Sequence, residues 1–481
     1  MGNPKAFLSV GRQEAGYRPV NERLGDFSEV EQTLNTNDRR TQASRCMDCG
    51  VPFCHWACPV GNKQPEWQDM LYKGKWREAY FLLEKTCDFP EFTGRICPAL
   101  CEKSCVLKYS TEEPVTIREN EAAIAEMAFR EGYVLPVAPV RNNKKVAVIG
   151  SGPAGLTVAN RLNRLGYSVT VFEKEERAGG LLRFGIPNFK LNKKIIDRRI
   201  DLMSAEGIVF KLGTKVGKDV SAKSLNADFD ALCVAIGCEV PRDLNVEGRK
   251  LKGIHFAMEL LSRQNKVLGG LSLKGLPNMD CKGKKVLVIG GGDTGSDCVG
   301  TANRLGAVSV TQIEILPKPP VEHNPDTPWP QYPNVLKTST SHEEGCDRRW
   351  SLTTNRFIGE SGVLKAVEVE EVEWVSAADG GRPAPRPTGR KETLEADLVF
   401  LAMGFVHPEQ EGLVKELSLS LDARKNIATD VDGCTVAETT KVFACGDAVS
   451  GPSLVVRAIT AGHRAALAMD TFLQDKEKEE E

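Results

Sequence analysis

Seven of the eight cysteines within the first 105 residues fall in two runs, Cys46-x2-Cys49-x4-Cys54-x3-Cys58-Pro59 and Cys97-x3-Cys101-x3-Cys105. Thiolates at such short intervals converge on soft iron, so the spacing points to iron–sulfur chemistry. Zinc also takes four cysteines, but it is redox-silent and leaves the rest of the chain unexplained. That rest holds two glycine-rich loops, Gly150-Ser151-Gly152-Pro153-Ala154-Gly155 and Gly290-Gly291-Gly292-Asp293-Thr294-Gly295. In G-x-G-x-x-G the first glycine permits a tight turn and the second admits the pyrophosphate. The third lets helix and strand pack closely, and the helix N-terminus stabilises the phosphate charge. Glu173 follows Gly150 by 23 residues and Glu314 follows Gly290 by 24, the distance at which an acid reaches a ribose hydroxyl. Iron–sulfur centres beside two dinucleotide sites imply electron transfer from a nicotinamide.

In two-cluster ferredoxins the last cysteine of a run ligates the other cluster. On that rule Cys46, Cys49, Cys54 and a returning Cys105 hold one cluster. Cys58 crosses over to join Cys97 and Cys101, which leaves the second cluster one ligand short. Cys87, ten residues before Cys97, and Glu121, sixteen after Cys105, are the candidates to complete it. The remaining cysteines (Cys233, Cys238, Cys281, Cys298, Cys346, Cys434 and Cys445) are scattered and read mostly as small buried apolar residues. No Cys-x-x-Cys flavin disulfide occurs among them.

The elements that must position these groups recur as a device. The strand Lys145–Ile149 feeds the first loop, a helix runs up to Gly166, and the strand Ser168–Phe172 ends at Glu173. The strand Lys285–Ile289 feeds the second loop, a helix runs up to Gly306, and a strand over 309–315 contains Glu314. Two such βαβ units imply duplicated nucleotide-binding folds. Apolar runs at 231–237 and 398–404 flank the second unit, as if the chain leaves the first domain there and later returns. Before residue 141 the sequence reads as helical fragments, among them 120–131, followed by a Pro-punctuated extended linker at 134–140. The predicted class is α/β. A helical iron–sulfur domain (1–140) precedes an FAD domain in two parts (141–240 and 405–481), with an NAD(P) domain (241–404) inserted between them. The charged end, 476–481, reads as a frayed terminus.

Ala444-Cys445-Gly446-Asp447-Ala448, followed by a helical pattern at 453–469, resembles the second flavin motif of two-dinucleotide-binding flavoproteins. In those proteins the acid holds the ribityl chain, FAD occupies the first loop and the nicotinamide occupies the inserted one. Glu314 favours NADH, because a carboxylate accepts from a free 2′-hydroxyl and repels a 2′-phosphate. Lys318, Arg348 or Arg349 could fold over and reverse that preference.

The bulk composition excludes other classes. A net charge of -2 over 481 residues gives no basic face for nucleic acid. No apolar stretch reaches the roughly 20 residues of a membrane helix, and the opening Met1-Gly2-Asn3-Pro4-Lys5 carries no apolar signal segment. The expected compartment is reducing and cytoplasmic.

The chain resembles the small subunits of glutamate synthases along nearly its whole length. The resemblance rests on Arg45-Cys46-Met47-Asp48-Cys49-Gly50-Val51-Pro52-Phe53-Cys54, Gly94-Arg95-Ile96-Cys97-Pro98 and Gly179-Gly180-Leu181-Leu182-Arg183-Phe184-Gly185-Ile186-Pro187. Gly290–Gly295 and Cys445-Gly446-Asp447 belong to it as well. The N-terminal half is also similar to modules of dihydropyrimidine dehydrogenase. The resemblance implies that NAD(P)H reduces FAD and that two [4Fe-4S] clusters pass the electrons to a large subunit. That partner would carry FMN, a further iron–sulfur centre and the glutaminase, and would make glutamate from glutamine and 2-oxoglutarate. The resemblance also implies Gly180, Leu181 and Arg183 as cofactor contacts and Glu121 as the odd cluster ligand, against the plainer reading of Glu121 as a surface helix residue. Hydride transfer to flavin requires no acid–base side chain, so no catalytic residue is named. Consecutive arginines after the second strand, carried by some family members, are replaced here by Glu314-Ile315-Leu316-Pro317-Lys318, so phosphate specificity does not carry over. The Pro-rich stretch 317–350 is expected to be an ordered loop near the nicotinamide or the partner. The alternative activity is a free-standing NAD(P)H:acceptor oxidoreductase or a subunit of a ferredoxin-coupled transhydrogenase.

Overall fold

The computed structural model of the chain describes residues 3–376 and 383–480. Two five-stranded parallel sheets dominate it, and each has the strand that feeds its glycine loop at its centre. The first sheet runs, from edge to edge, Val442–Ala444, Ala231–Val234, Lys145–Ile149, Ser168–Phe172 and Val209–Lys211. The second runs Ile254–Phe256, Leu398–Leu401, Lys285–Ile289, Ser309–Ile313 and Asp347–Arg349. Central strands such as Val146–Ile149 and Val286–Ile289 are apolar and buried throughout, as a parallel sheet covered on both faces requires. A three-stranded antiparallel sheet, Leu352–Glu360, Val363–Val375 and Ala384–Glu395, projects from the second unit. Where the chain crosses between the sheets, Val240–Pro241 pairs with Phe405–His407, beside the proposed boundaries at 240 and 404.

Among the described residues no strand precedes Lys145; a single bridge joins Tyr17 to Glu31. The helix expected at 120–131 spans Ile117–Arg130, because Ile117 is itself buried beside Ile124 and Ala128. Gly94 lets the short helix Pro90–Ile96 lie directly on it: a Cβ there would stand 2.6 Å from the backbone nitrogen of Ala122. That contact brings the Cys97 turn beside Glu121. The C-terminal helix runs from Val455 to Glu480, well past the expected end at 469. The Lys- and Glu-rich tail consists of good helix formers and simply continues it.

The iron–sulfur segment is welded to the first sheet. Phe89 and Phe92 belong to that sheet's own core. Glu91 and Arg199 form a bidentate pair (2.6 and 3.0 Å) with both side chains completely buried. Buried Asp88 accepts from Asn160 (2.7 Å) and Arg161 (2.8 Å) and contacts His463, so the segment is anchored to the helices on both sides of it.

Candidate functional site

The two glycine loops are near copies in geometry. A Cβ on Gly155 would stand 2.1 Å from the Gly150 carbonyl oxygen, and one on Gly295 would stand 2.2 Å from that of Gly290. Each third glycine therefore has no room for a side chain. At Gly152 and Gly292 nothing lies within 4 Å of where a Cβ would be, which leaves the space a pyrophosphate needs. Helices begin at once, Pro153–Arg164 and Asp293–Arg304.

At the first loop, Glu173 accepts from the amides of Ser151 (3.0 Å) and Glu175 (2.9 Å) and from the Ser151 hydroxyl (2.5 Å). Burial raises its pKa against the pull of those donors. A cavity of about 810 Å³ opens from this loop, large enough for a nucleotide cofactor. Gly150, Gly152, Pro153, Ala154, Glu173, Gly180, Leu181 and Asp447 all line it. Asp447 accepts from the Ser453 hydroxyl (2.7 Å), and burial raises its carboxyl. Gly446 packs against Ala154. Arg183 departs from the expectation. Its guanidinium donates to the Ala178 carbonyl (2.5 Å), pairs with Asp197 (2.6 Å) and forms no part of the cavity wall.

Asp293 and Thr294, from the second loop, line the same cavity together with Gly404 and Phe405. One space therefore connects the two loops. Glu314 copies Glu173: its two oxygens accept from the amides of Gly291 (2.5 Å) and Leu316 (3.2 Å). Beneath this loop lies a support that no local motif announces. Gln312 donates to the Gly290 carbonyl (2.8 Å) and bonds His342 through its other amide atom (2.9 Å).

The cysteines fall in two neighbourhoods. Cys46, Cys49, Cys54 and Cys105 line one small apolar cavity together with Phe53, Leu107 and Ile117. Burial pushes the Cys46 thiol up to about 12, against the amide of Asp48. Thiolates in such a place require a compensating metal charge, so the donor set fits a cluster. Among the described residues no three His, Cys, Asp or Glu side chains are close enough to grip a single ion. In the second set, Cys58, Cys97, Cys101 and Glu121 face one another electrostatically. Glu121 is buried, contacts Thr93 and lies 3.8 Å from Cys87, and burial pushes its carboxyl to about 7. Cys87 Sγ is turned to Thr93 (3.3 Å). Behind burial, Glu121 and Cys58 raise Cys97, Cys58 and Cys97 raise Cys101, and Glu121 and Cys58 act on Cys87 as well.

Two placements have no signal in the local sequence. Ile96 and Pro98, which flank Cys97, are walls of the 810 Å³ cavity. Within the loop expected near the nicotinamide or a partner, the stretch around Trp329 and Pro330 lies on the first cysteine set. Trp329 stacks with Phe53 (4.7 Å) and Tyr109 (5.0 Å), and Ser104 donates to the Pro330 carbonyl (2.7 Å).

Known proteins resemble this arrangement along its length. Residues 144–462 match the pyridine nucleotide-disulphide oxidoreductase family, and residues 23–133 match the family described as dihydropyrimidine dehydrogenase domain II, 4Fe-4S cluster. The chain is 47% identical over 478 residues to the glutamate synthase [NADPH] small chain of Mycobacterium tuberculosis, covering 98% of this chain and 96% of that one. It is 43% identical over 482 residues to the glutamate synthase [NADH] of Saccharomyces cerevisiae, covering 98% of this chain and 22% of that protein. Among solved structures, Mycobacterium tuberculosis FprA in complex with NADPH shares the fold over 70% of this chain and 86% of its own, with a TM-score of 0.56 at 18% identity.

Proposed function

This chain belongs to the family of glutamate synthase small chains, and on that premise we propose that it is the subunit through which reducing equivalents enter a glutamate synthase. FAD takes the first loop, cradled by Gly150, Gly152, Pro153, Ala154, Gly155, Glu173, Gly180, Leu181, Gly446 and Asp447. A reduced nicotinamide dinucleotide takes the second, at Gly290, Gly292, Asp293, Thr294, Gly295 and Glu314. Cys46, Cys49, Cys54 and Cys105 hold one [4Fe-4S] cluster; Cys58, Cys97, Cys101 and Glu121 hold the other. When bound, the flavin accepts hydride and the clusters conduct single electrons. The chain itself supplies placement, amide donors and exclusion of water.

One observation carries the reading. Cys97 stands between two residues, Ile96 and Pro98, that wall the cavity into which both glycine loops open. A cluster on Cys97 is thereby the neighbour of whatever fills that cavity. The partner is a large chain with FMN, a further iron–sulfur centre and a glutaminase, in the cytoplasm. No helix among the described residues is long and apolar enough to cross a membrane. The test is co-purification with such a chain, followed by glutamine- and 2-oxoglutarate-dependent oxidation of reduced nicotinamide. Oxidation that proceeds without either substrate, to small acceptors alone, would favour a free-standing oxidoreductase instead.

A further inference from the structure

The Pro-rich stretch between two strands of the second sheet is built as a rigid projection. It leaves after Ser309–Ile313 and returns at the neighbouring parallel strand Asp347–Arg349. Between them, residues 320–336 close on themselves. The Leu336 amide donates to the Pro320 carbonyl (2.8 Å), and the Asn324 side chain donates to the Asn334 carbonyl (2.8 Å). Further in, the Asn334 amide donates to the Thr327 hydroxyl (2.9 Å), and Lys337 Nζ lies 4.4 Å from the centre of the Tyr332 ring. Pro325, Pro328, Pro330 and Pro333 restrict the backbone and lower the entropy lost in holding one shape. A compact loop with tied ends presents its tip as a fixed surface.

That tip, Trp329-Pro330, touches two separate arms of the first cysteine set. One arm is the helix Phe53–Ala57, which carries Cys54. Phe53 and Cys54 both line the first cysteine cavity, and Trp329 lies on Phe53 (4.7 Å). The other arm is the turn at Cys105 with the helix Val106–Thr111 that follows it. Trp329 lies on Tyr109 of that helix (5.0 Å), and the buried Ser104 donates its hydroxyl to the Pro330 carbonyl (2.7 Å). Cys54 and Cys105 come from different cysteine runs, so the loop tip bridges what the local chain does not. The arms stand near the surface, with Val51 and Trp56, on either side of Cys54, 76% and 70% exposed. Each aromatic pair favours the bridged arrangement by roughly two- to tenfold.

We propose that residues 320–336 are a clasp, in which Trp329 and Pro330 hold the Cys54 and Cys105 arms together and thereby set the reduction potential of the cluster on the first cysteine set. The inference rests on the reading that these thiols hold a cluster. Trp329 touches no substrate; it is a positioning residue, acting through Phe53 and Tyr109. The clasp belongs to the nicotinamide unit and not to the iron–sulfur segment. Just beyond it, Ser339 shares a hydrogen bond with Ser296 (2.5 Å), on the helix that the second glycine loop opens. Cluster potentials follow solvent exposure and the hydrogen bonds around the sulfurs. Parting the arms admits water, which favours the more negatively charged reduced state and raises the potential.

The test is a redox titration of the purified full chain, loaded with flavin and iron and followed by electron paramagnetic resonance. Release of iron to a ferrous chelator is measured alongside. The signal absent from Cys46→Ser identifies the first set. Trp329→Ala should move that signal upward by roughly tenfold in its one-electron equilibrium, about 59 mV. Its iron should leave at least about tenfold faster, while the other cluster and the flavin content stay as in the wild type. Trp329→Phe, which keeps a ring on both arms, should restore both readings. Ser104→Ala should shift the same signal in the same direction by less. Trp329→Ala with the potential and iron release of the wild type would overturn the clasp. So would a variant that disturbs both clusters and the flavin alike, since the effect would then be general loosening. Wild-type chain that holds no iron after anaerobic reconstitution would instead remove the cluster reading, and this proposal with it.

Discussion

The first and second glycine loops share a turn, a tight third glycine and an acid held by two amides, yet their surroundings differ. Glu173 is 5% exposed and receives a third donor from Ser151. Its cavity is closed by pieces from distant parts of the chain: Ile96 and Pro98 from the iron–sulfur segment, and Asp447 with the start of the C-terminal helix. At the second loop Gly291 replaces the serine, so Glu314 loses that third donor. The residues beyond it are open, Ile315 being 37% and Leu316 50% exposed. The same motif thus serves two lifetimes. On the proposed assignment, a ligand held by segments from several parts of the chain is the one retained, and a ligand on an open strand end is the one exchanged. Residence is set by what packs around the loop and not by the loop itself.

The sharpest way to break the comparison is to fill the third glycine of each loop. Gly155→Ala should give protein that purifies without flavin. Gly295→Ala should keep the flavin at full occupancy and lose its reduction by nicotinamide by more than about tenfold, since an extra methyl in a tight contact costs about 1–3 kcal/mol. Absorbance at purification and a stopped-flow mix read both. Flavin loss from the Gly295 variant would show that the two sites are not separable.

A second way is to loosen the wall of the first site. Breaking the buried Arg199–Glu91 pair by Glu91→Gln leaves a guanidinium buried without its counter-charge, at about 3–5 kcal/mol. The melting temperature should fall and flavin retention with it, whereas replacing both partners by methionine should cost less. If flavin retention were untouched by the single change, the iron–sulfur segment would not be the closing wall.

The smallest effect separates the sites by pH. Burial, and after it the charge of Arg348, lowers His342 to about 4 from about 6.5, so the imidazole is neutral in the folded protein. A depressed value means its contribution is full above about 6.5 and is lost as pH falls from there toward 4. Acidification over that window should weaken dinucleotide binding at the second loop, while the flavin stays bound. His342→Gln should flatten the response. Titration of NADP⁺ affinity between pH 7 and 5 measures it.

The halves of the site that were legible in the sequence are those carried by short stretches. The glycine loops, their acids, the cysteine runs and the paired sheets follow from local turns and from apolar strands of a few residues. What was hidden depends on contacts between distant segments. Nothing near Cys97 says that its neighbours wall the flavin cavity, because that needs Phe89 and Phe92 to enter another unit's core. Trp329 lies on Phe53 and Tyr109 although some 220 residues or more separate it from both. Arg183 sits in a segment that resembles a cofactor motif, but Asp197 on the following helix claims it. Gln312 and His342 are ordinary residues until the fold sets them beneath Gly290.

The central claim is a one-way order: nicotinamide, then the walled cavity, then the cysteine sets, then the partner. Cys46→Ser tests it most directly, because Cys46 lines the first cysteine cavity and is not among the walls of the cavity that joins the two glycine loops. Anaerobic stopped-flow measurement should show its flavin reduced by NADPH within about twofold of the wild-type rate, since every group near that cavity is intact. Glutamate formation with the large chain should be abolished. Full-rate glutamate formation by this variant, or loss of flavin reduction together with it, would contradict the account.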